Sequence, residues 1–212
     1  MENCKIVGYC FLAAVPMRAQ DSHRSEMVNQ LLKGDTFDVL RQEKEWSMIR
    51  CHYDNYMGWI DNKQWRRATE HEGLGQDDST AQSPSQVAKV QYLGAPYLWG
   101  GRTAMGIDCS GLTQVCFKAC GIRLLRDASQ QVTQGCEIKN LDEAQCDDLC
   151  FFQNNAGKVV HVGIYLGQGK IIHASGEVRI DDLTPKGIIN HDTQEYSHFL
   201  HSIRRVRATE KR

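Results

Sequence analysis

Between residues 4 and 65 the apolar positions fall in short runs broken by turn residues: 5–15, 36–41 after Lys33-Gly34-Asp35, 46–52 and 57–60. Runs this short and close predict β-strands. With Trp46, Trp59 and Trp65 available to fill a small core, they predict a small β-barrel. Between the first two runs, Val28, Leu31 and Leu32 fall at helical spacing, which predicts a helical turn over residues 25–32. From Ala68 to Ser85 large apolar residues almost vanish, the pattern of a solvated linker. Beyond it, Pro84 suits a first helical turn with Ser83 as cap, and Val87, Val90 and Gln91 followed by Tyr92-Leu93 extend a helix that ends at Gly94. A second helix starts at Cys109, with Leu112, Val115, Cys116 and Ala119 at helical spacing and Gly121 as its C-terminal cap. The pattern then turns to strands at 148–153, 159–166 and 170–174, joined by Asn154-Asn155-Ala156-Gly157 and Gly167-Gln168-Gly169, both hairpin signals. Helices followed by an antiparallel sheet define an α+β domain. The expected organisation is a β-barrel over 1–67, a linker over 68–83 and an α+β domain over 84–212.

Composition narrows the function classes. With 41% hydrophobic and 24% charged residues in 212, collagen-like, disordered and coiled-coil readings drop out. The 25 Lys and Arg nearly cancel the 26 Asp and Glu, so no general attraction to nucleic acid or an anionic membrane is expected, and a compact polar or zwitterionic ligand fits better. No apolar run approaches the roughly 18 residues of a membrane-spanning helix. Residues 6–16 imitate the core of a secretion signal, but Glu2 precedes them and Gly8, Tyr9, Cys10 and Pro16 interrupt them; they read as a buried strand. Nine cysteines, at 4, 10, 51, 109, 116, 120, 136, 146 and 150, point to free thiols in a reducing cytoplasm. The pairs Cys116/Cys120 and Cys146/Cys150 lack the two-residue gap of zinc knuckles. Most of these sulfurs are expected to be small buried hydrophobes, with no metal and no organic cofactor.

A thiol becomes a nucleophile when its thiolate is stabilised, and a helix start and a neighbouring imidazole are two stabilisers. Cys109 has the first by position. His161 lies in a strand where Val160, Val162, Ile164 and Leu166 form one face and the histidine the other, which suits it to meet a packed helix terminus. His173, in the next strand of the hairpin, is a plausible cross-strand neighbour able to fix the tautomer of His161. Taken singly, a cysteine at a helix start and a histidine in a strand are more often structural. Their combination, after a loop rich in Gly and aromatics, makes a Cys-His nucleophilic enzyme an equal contender. His23, His52, His71, His191, His198 and His201 read as surface or structural.

The ordered segments Tyr97-Leu98-Trp99-Gly100-Gly101, Asp108-Cys109-Ser110-Gly111, His161-Val162-Gly163-Ile164-Tyr165-Leu166-Gly167 and His173-Ala174-Ser175 resemble the NlpC-type papain-like cysteine peptidases of bacterial cell-wall metabolism. The N-terminal half resembles the SH3-like domain of the dipeptidyl-peptidase VI branch, the γ-D-glutamyl-L-diamino-acid endopeptidases. The resemblance implies a papain-like domain that hydrolyses the γ-D-glutamyl-diamino-acid bond of murein peptides bearing a free L-alanine amine. It implies Cys109 as nucleophile, His161 as base, His173 as orienting residue and the Tyr97 hydroxyl at the oxyanion. It further implies Asp127, in Arg126-Asp127-Ala128-Ser129-Gln130, as the carboxylate for the substrate ammonium, where the alternative is a helix cap. The family often has Ser at the position of Ala128. Tyr56 is the matching pocket tyrosine of the SH3-like half, and Glu26 a second acid near the amine. The expected partner is thus L-Ala-γ-D-Glu-diamino acid, met by a cytoplasmic monomer. Two alternatives stay open: a papain-like amidase or acyltransferase on another small amine, and a non-catalytic wall-peptide binding module.

Overall fold

The computed structural model describes residues 6–68 and 82–207. Cys4, His71 and most of the expected linker, 69–81, lie outside the described residues. The chain divides into two compact units, Met1–Asp77 with Trp99–Arg102, and Asp78–Leu98 with Thr103–Arg212. No helix among the described residues is long and apolar enough to cross a membrane.

In the first unit, strands β1 (Ile6–Tyr9), β2 (Ala14–Arg18), β3 (Met27–Leu32), β4 (Thr36–Gln42), β5 (Trp46–Cys51), β6 (Met57–Asp61) and β7 (Arg66–Arg67) form one sheet in the order β3-β2-β6-β5-β4-β1-β7. Val15, Met17, Leu31, Phe37, Ile49 and Ile60 make its core. Two expectations are corrected. The run expected over 5–15 is divided, its described part, 6–15, between β1 and the start of β2, because the chain turns away at Cys10, whose amide bonds to Asp35 O at 2.9 Å. Residues 25–32 contain strand β3, with Ala14 opposite Leu32 and Val15 opposite Leu31. Asn29 and Leu31 are its fully buried positions, a period of two, so pairing with β2 overrides the helical spacing of Val28, Leu31 and Leu32.

The second unit opens with α1 (Pro84–Gln91), where the Gln86 side chain accepts from the Ser83 amide at 3.0 Å. Two short strands, β8 (Arg102–Thr103) and β9 (Gly106–Ile107), come next, followed by helices α2 (Cys109–Ala119) and α3 (Ala128–Gln131). A seven-stranded antiparallel sheet then runs β10-β16-β11-β12-β13-β14-β15, from β10 (Cys136–Ile138), β11 (Leu149–Gln153), β12 (Val159–Gly167), β13 (Lys170–Ser175), β14 (Glu177–Thr184), β15 (Gly187–Ile189) and β16 (Tyr196–Arg205). Strand β15 also pairs with β16, so the sheet closes on itself. Cys150, Phe152, Tyr165, Ile171, Leu183, Ile188 and Ile203 cluster on one face. The residues alternating with them, among them Phe151, Val162, Ile164 and Ile172, are equally buried, and α1 and α2 pack on β12 and β13.

One expected strand face is corrected here. Val160 is 51% exposed, because the β11/β12 pairing shifts register between Phe152 and Gln153 and carries the start of β12 clear of the helices. Most of the described sulfurs are buried, as expected: Cys10, Cys51, Cys109, Cys116 and Cys150 are, Cys120 is half-buried, and Cys136 and Cys146 are exposed. All eight described cysteines are free.

Candidate active site

Cys109 is the first residue of α2, and its geometry is set by Asp108 before it. The Asp108 carboxylate caps the helix, accepting from the Gly111 amide at 2.6 Å. It also takes a two-pronged bond from Arg126, 3.0 Å to Oδ1 and 2.6 Å to Oδ2. Arg126 is 1% exposed and also donates to Ser110 Oγ at 2.9 Å. Gln131 donates to Ser110 O at 3.0 Å and accepts from Thr113 Oγ1 at 2.7 Å, which ties α3 to α2. The start of α2 is thus held by charged and amide groups from the segment that follows it.

Helix α2 packs on β12, and the backbone groups of Val162 and Ser110 act on the Cys109 thiol. Burial is the largest influence on the thiol and pushes it up to about 12; Asp108 adds to this, while Val162, Ser110 and Arg126 oppose it. Desolvation thus opposes the stabilisation that a helix start and a neighbouring imidazole offer a thiolate. His161 moves the opposite way, well below 6.5, through burial and then His173 and His198. Both directions favour the neutral forms of thiol and imidazole at rest.

His161 and His173 are not directly opposite one another. Gly163 faces His173 in the ladder, and the two imidazoles meet across it, His161 Nε2 to His173 Nδ1 at 2.8 Å. A Cβ at Gly163 would lie 2.9 Å from His173 Cβ and 2.7 Å from Ile171 Cδ1, so this close diagonal depends on glycine. The next diagonal step brings in a residue that the sequence reading did not single out. Asp181 on β14 lies 3.0 Å from His173 Nε2, and its other oxygen accepts from the His191 amide at 3.0 Å. Arg179 Nε stands 3.0 Å from the same carboxylate. Burial by itself raises this carboxyl, but the bonds from His173, the His191 amide and Arg179 outweigh it and bring it to about 2. An ionised Asp181 can only accept, so neutral His173 carries its proton on Nε2 and offers a lone pair at Nδ1. His161 must then donate from Nε2, which leaves Nδ1 as its basic atom.

His198, read from sequence as surface or structural, stacks on His161 with ring centroids 4.1 Å apart. The only signal for it was its β16 position, and that strand's pairing with β11 and β15 was not legible. His161 and His198 border a cavity of about 320 Å³ together with Tyr97, Val160 and the 174–176 end of β13. Tyr97 is fixed by its amide bond to Gly176 O at 2.9 Å. Burial first, then Cys109 and Asp108, raise its hydroxyl to about 12, so it stays protonated and can donate. Asp127 caps α3, and Gln130 accepts from its amide at 3.1 Å; Ala128 is buried in the first turn. Asp127 directly follows Arg126, the partner of Asp108, so it is tied through that pair to the start of α2.

The remaining expected residues belong to the first unit. Tyr56 packs against its core, and its amide bonds to Asp54 Oδ1 at 3.0 Å. Glu26 accepts from the Trp99 indole at 2.7 Å.

Residues 94–197 match the NlpC/P60 family and residues 17–64 the bacterial dipeptidyl-peptidase SH3 domain. A γ-D-glutamyl-L-lysine dipeptidyl-peptidase of Bacillus subtilis (strain 168) is 41% identical over 103 residues, 48% of this chain and 34% of that protein. Dipeptidyl-peptidase 6 of Lysinibacillus sphaericus is 34% identical over 125 residues, 57% of this chain and 43% of that protein. The chain therefore matches less than half the length of either relative. The solved structure of NlpC2 from Trichomonas vaginalis superposes with a TM-score of 0.56 at 17% identity, covering 96% of this chain and 99% of that one, a likeness of fold.

Proposed function

This chain belongs to the NlpC/P60 family of peptidases and carries a bacterial dipeptidyl-peptidase SH3 domain, and from that premise we propose that it is a cysteine peptidase cleaving the γ-D-glutamyl-L-diamino-acid bond of murein peptides with a free N-terminal L-alanine. The observation that carries the proposal is the hydrogen-bonded chain His161, His173 and Asp181 on a sheet whose strands β12 and β13 pack against the helix that begins at Cys109. The γ-D-glutamyl-L-lysine dipeptidyl-peptidase of Bacillus subtilis, similar over 48% of this chain, supports the choice of bond.

In this reading His161 Nδ1 takes the Cys109 proton as sulfur attacks the γ-carbonyl. The Cys109 amide at the helix start and the Tyr97 hydroxyl donate to the oxyanion. The imidazolium then protonates the leaving amine, and a water activated by the same nitrogen releases L-Ala-D-Glu. Asp127 pairs with the substrate ammonium, since a cation taken from water needs an opposite charge. Ala128 borders that position without offering a hydroxyl. Tyr56 and Glu26 are proposed to contribute to substrate selection. The reaction fits recycling of wall peptides in the cytoplasm, to which the abundant free thiols are suited.

Digestion of L-Ala-γ-D-Glu-diaminopimelate, followed by mass spectrometry, tests the proposal. Release of L-Ala-D-Glu from the free peptide is expected, with none from its N-acetylated form and none by Cys109→Ala. Equal cleavage of both peptides would remove the amine requirement and favour another amide substrate. Cleavage that survives Cys109→Ala would sink the nucleophile.

A further inference from the structure

His161, His173 and His198 each offer a ring nitrogen, and these atoms lie within 4.8 Å of one another. Three converging imidazoles are an unusual surplus for a site whose proton relay uses two. His198 is half-buried on β16 and borders the same cavity as His161, so a small ion has a route to the cluster. His173 also carries the outer-shell support that metal-binding histidines require, because Nδ1 faces the cluster while Nε2 is held by the Asp181 carboxylate at 3.0 Å. His198 Nδ1 lies 2.9 Å from Ser197 Oγ, which leaves Nε2 as its ligand atom.

We propose that His161, His173 and His198 form a reversible inhibitory site for a divalent transition ion of the zinc class. Neutral imidazole suits such ions, and three protein nitrogens with a fourth, water-filled position is an established open zinc geometry. Bonds of about 2.0–2.1 Å place tetrahedral nitrogens about 3.3 Å apart. The His161/His173 pair at 2.8 Å has to open slightly, and His198 has to close in. The protons balance without an outside partner: zinc takes the lone pair of His173 Nδ1 and of His198 Nε2, and the proton on His161 Nε2 moves to Nδ1 as Nε2 binds the metal. No proton leaves the protein. The same shift places a proton on the atom that must accept from Cys109, so occupation of the site stops thiol activation. The inhibition rests on His161 acting as base; the binding does not.

Calorimetric titration of Cys109→Ala protein with zinc chloride is expected to show one site. His198→Ala is expected to weaken it at least tenfold. Asp181→Asn, which loses the outer-shell charge, is expected to weaken it by roughly 10- to 100-fold. Hydrolysis by the otherwise intact protein, each variant scaled to its own metal-free rate, is expected to fall with zinc and return with EDTA, with His198→Ala at least tenfold less sensitive. Affinity that disappears in Cys109→Ala, or that is unchanged in His198→Ala, overturns the site. Zinc bound at the three histidines with hydrolysis unaffected keeps the binding and overturns inhibition, and with it the role of His161 as base.

Discussion

Asp181 decides which nitrogen of His161 is basic, although it touches neither the sulfur nor His161 itself. Removing it frees His173 to carry its proton on either nitrogen, and the wrong tautomer turns His161 Nδ1 from acceptor to donor. Asp181→Ala is therefore expected to lower kcat by roughly 10- to 1000-fold, with KM little changed. Asp181→Asn keeps the shape, but its amide can donate to His173 Nε2 and hold the wrong tautomer, so it is expected to lose at least as much, up to the roughly 10⁴-fold known for that change in a serine-protease triad, with folding stability better kept. Equal losses in kcat and in folding stability for both variants would reduce Asp181 to a packing residue. Cys109, His161 and His173 were legible in the sequence because each sits at a fixed place in a short element with turn residues around it. Asp181 was not, because nothing near it in the chain marks the strand that carries it.

At the scale of elements, the relay is a repeated stagger. His161 meets His173 past Gly163, and His173, opposite Arg179, meets Asp181 two residues further on. Gly163→Ala inserts a methyl group where the Ile171 and His173 side chains already stand, so a loss of about 1–3 kcal/mol is expected. Activity should fall further than folding does, because the displaced neighbour is His173; a variant with full kcat would contradict the diagonal. The start of α2 depends on another element in the same way. Arg126→Met leaves the Asp108 carboxylate buried without its charge partner, at a cost of about 3–5 kcal/mol, readable as a lower urea midpoint. The helical periodicity of α2 was plain in the sequence, whereas the buried arginine that anchors its first turn was visible only as part of a motif. The strand at 27–32 shows the converse, where a helical spacing was present and a sheet partner decided otherwise.

For the whole molecule, groups buried in their neutral form set the pH range of stability. His198 is pushed down to about 4 by burial and then by His173, with Asp181 opposing, and His161 is pushed well below 6.5. The unfolded chain takes up these protons near 6.5 and the folded chain does not, so stability is lost as pH falls from about 6.5 towards 4. Asp181, held at about 2 against 3.8, extends the loss below that. On the alkaline side, burial raises Cys10 to about 11 and Cys109 to about 12, and raises Cys51, Cys116 and Cys150 as well. The unfolded chain loses these protons from about 9, so stability declines above that pH. Urea midpoints are expected to be highest between pH 6.5 and 9 and lower at both pH 5 and pH 10. A midpoint at pH 5 equal to that at pH 7.5 would contradict the neutral histidine cluster.

The sequence alone determined the strand-rich first half, the helix that begins at Cys109 and the hairpin that carries His161 and His173. Each rests on local periodicity and turn residues, which act over a few positions. Tertiary structure alone decided that Gly163 would stand opposite His173, that Asp181 and His198 would join the histidines, and that the Cys109 thiol would be raised rather than lowered. Those outcomes depend on register between strands and on the removal of water, and both are set by residues far apart in the chain.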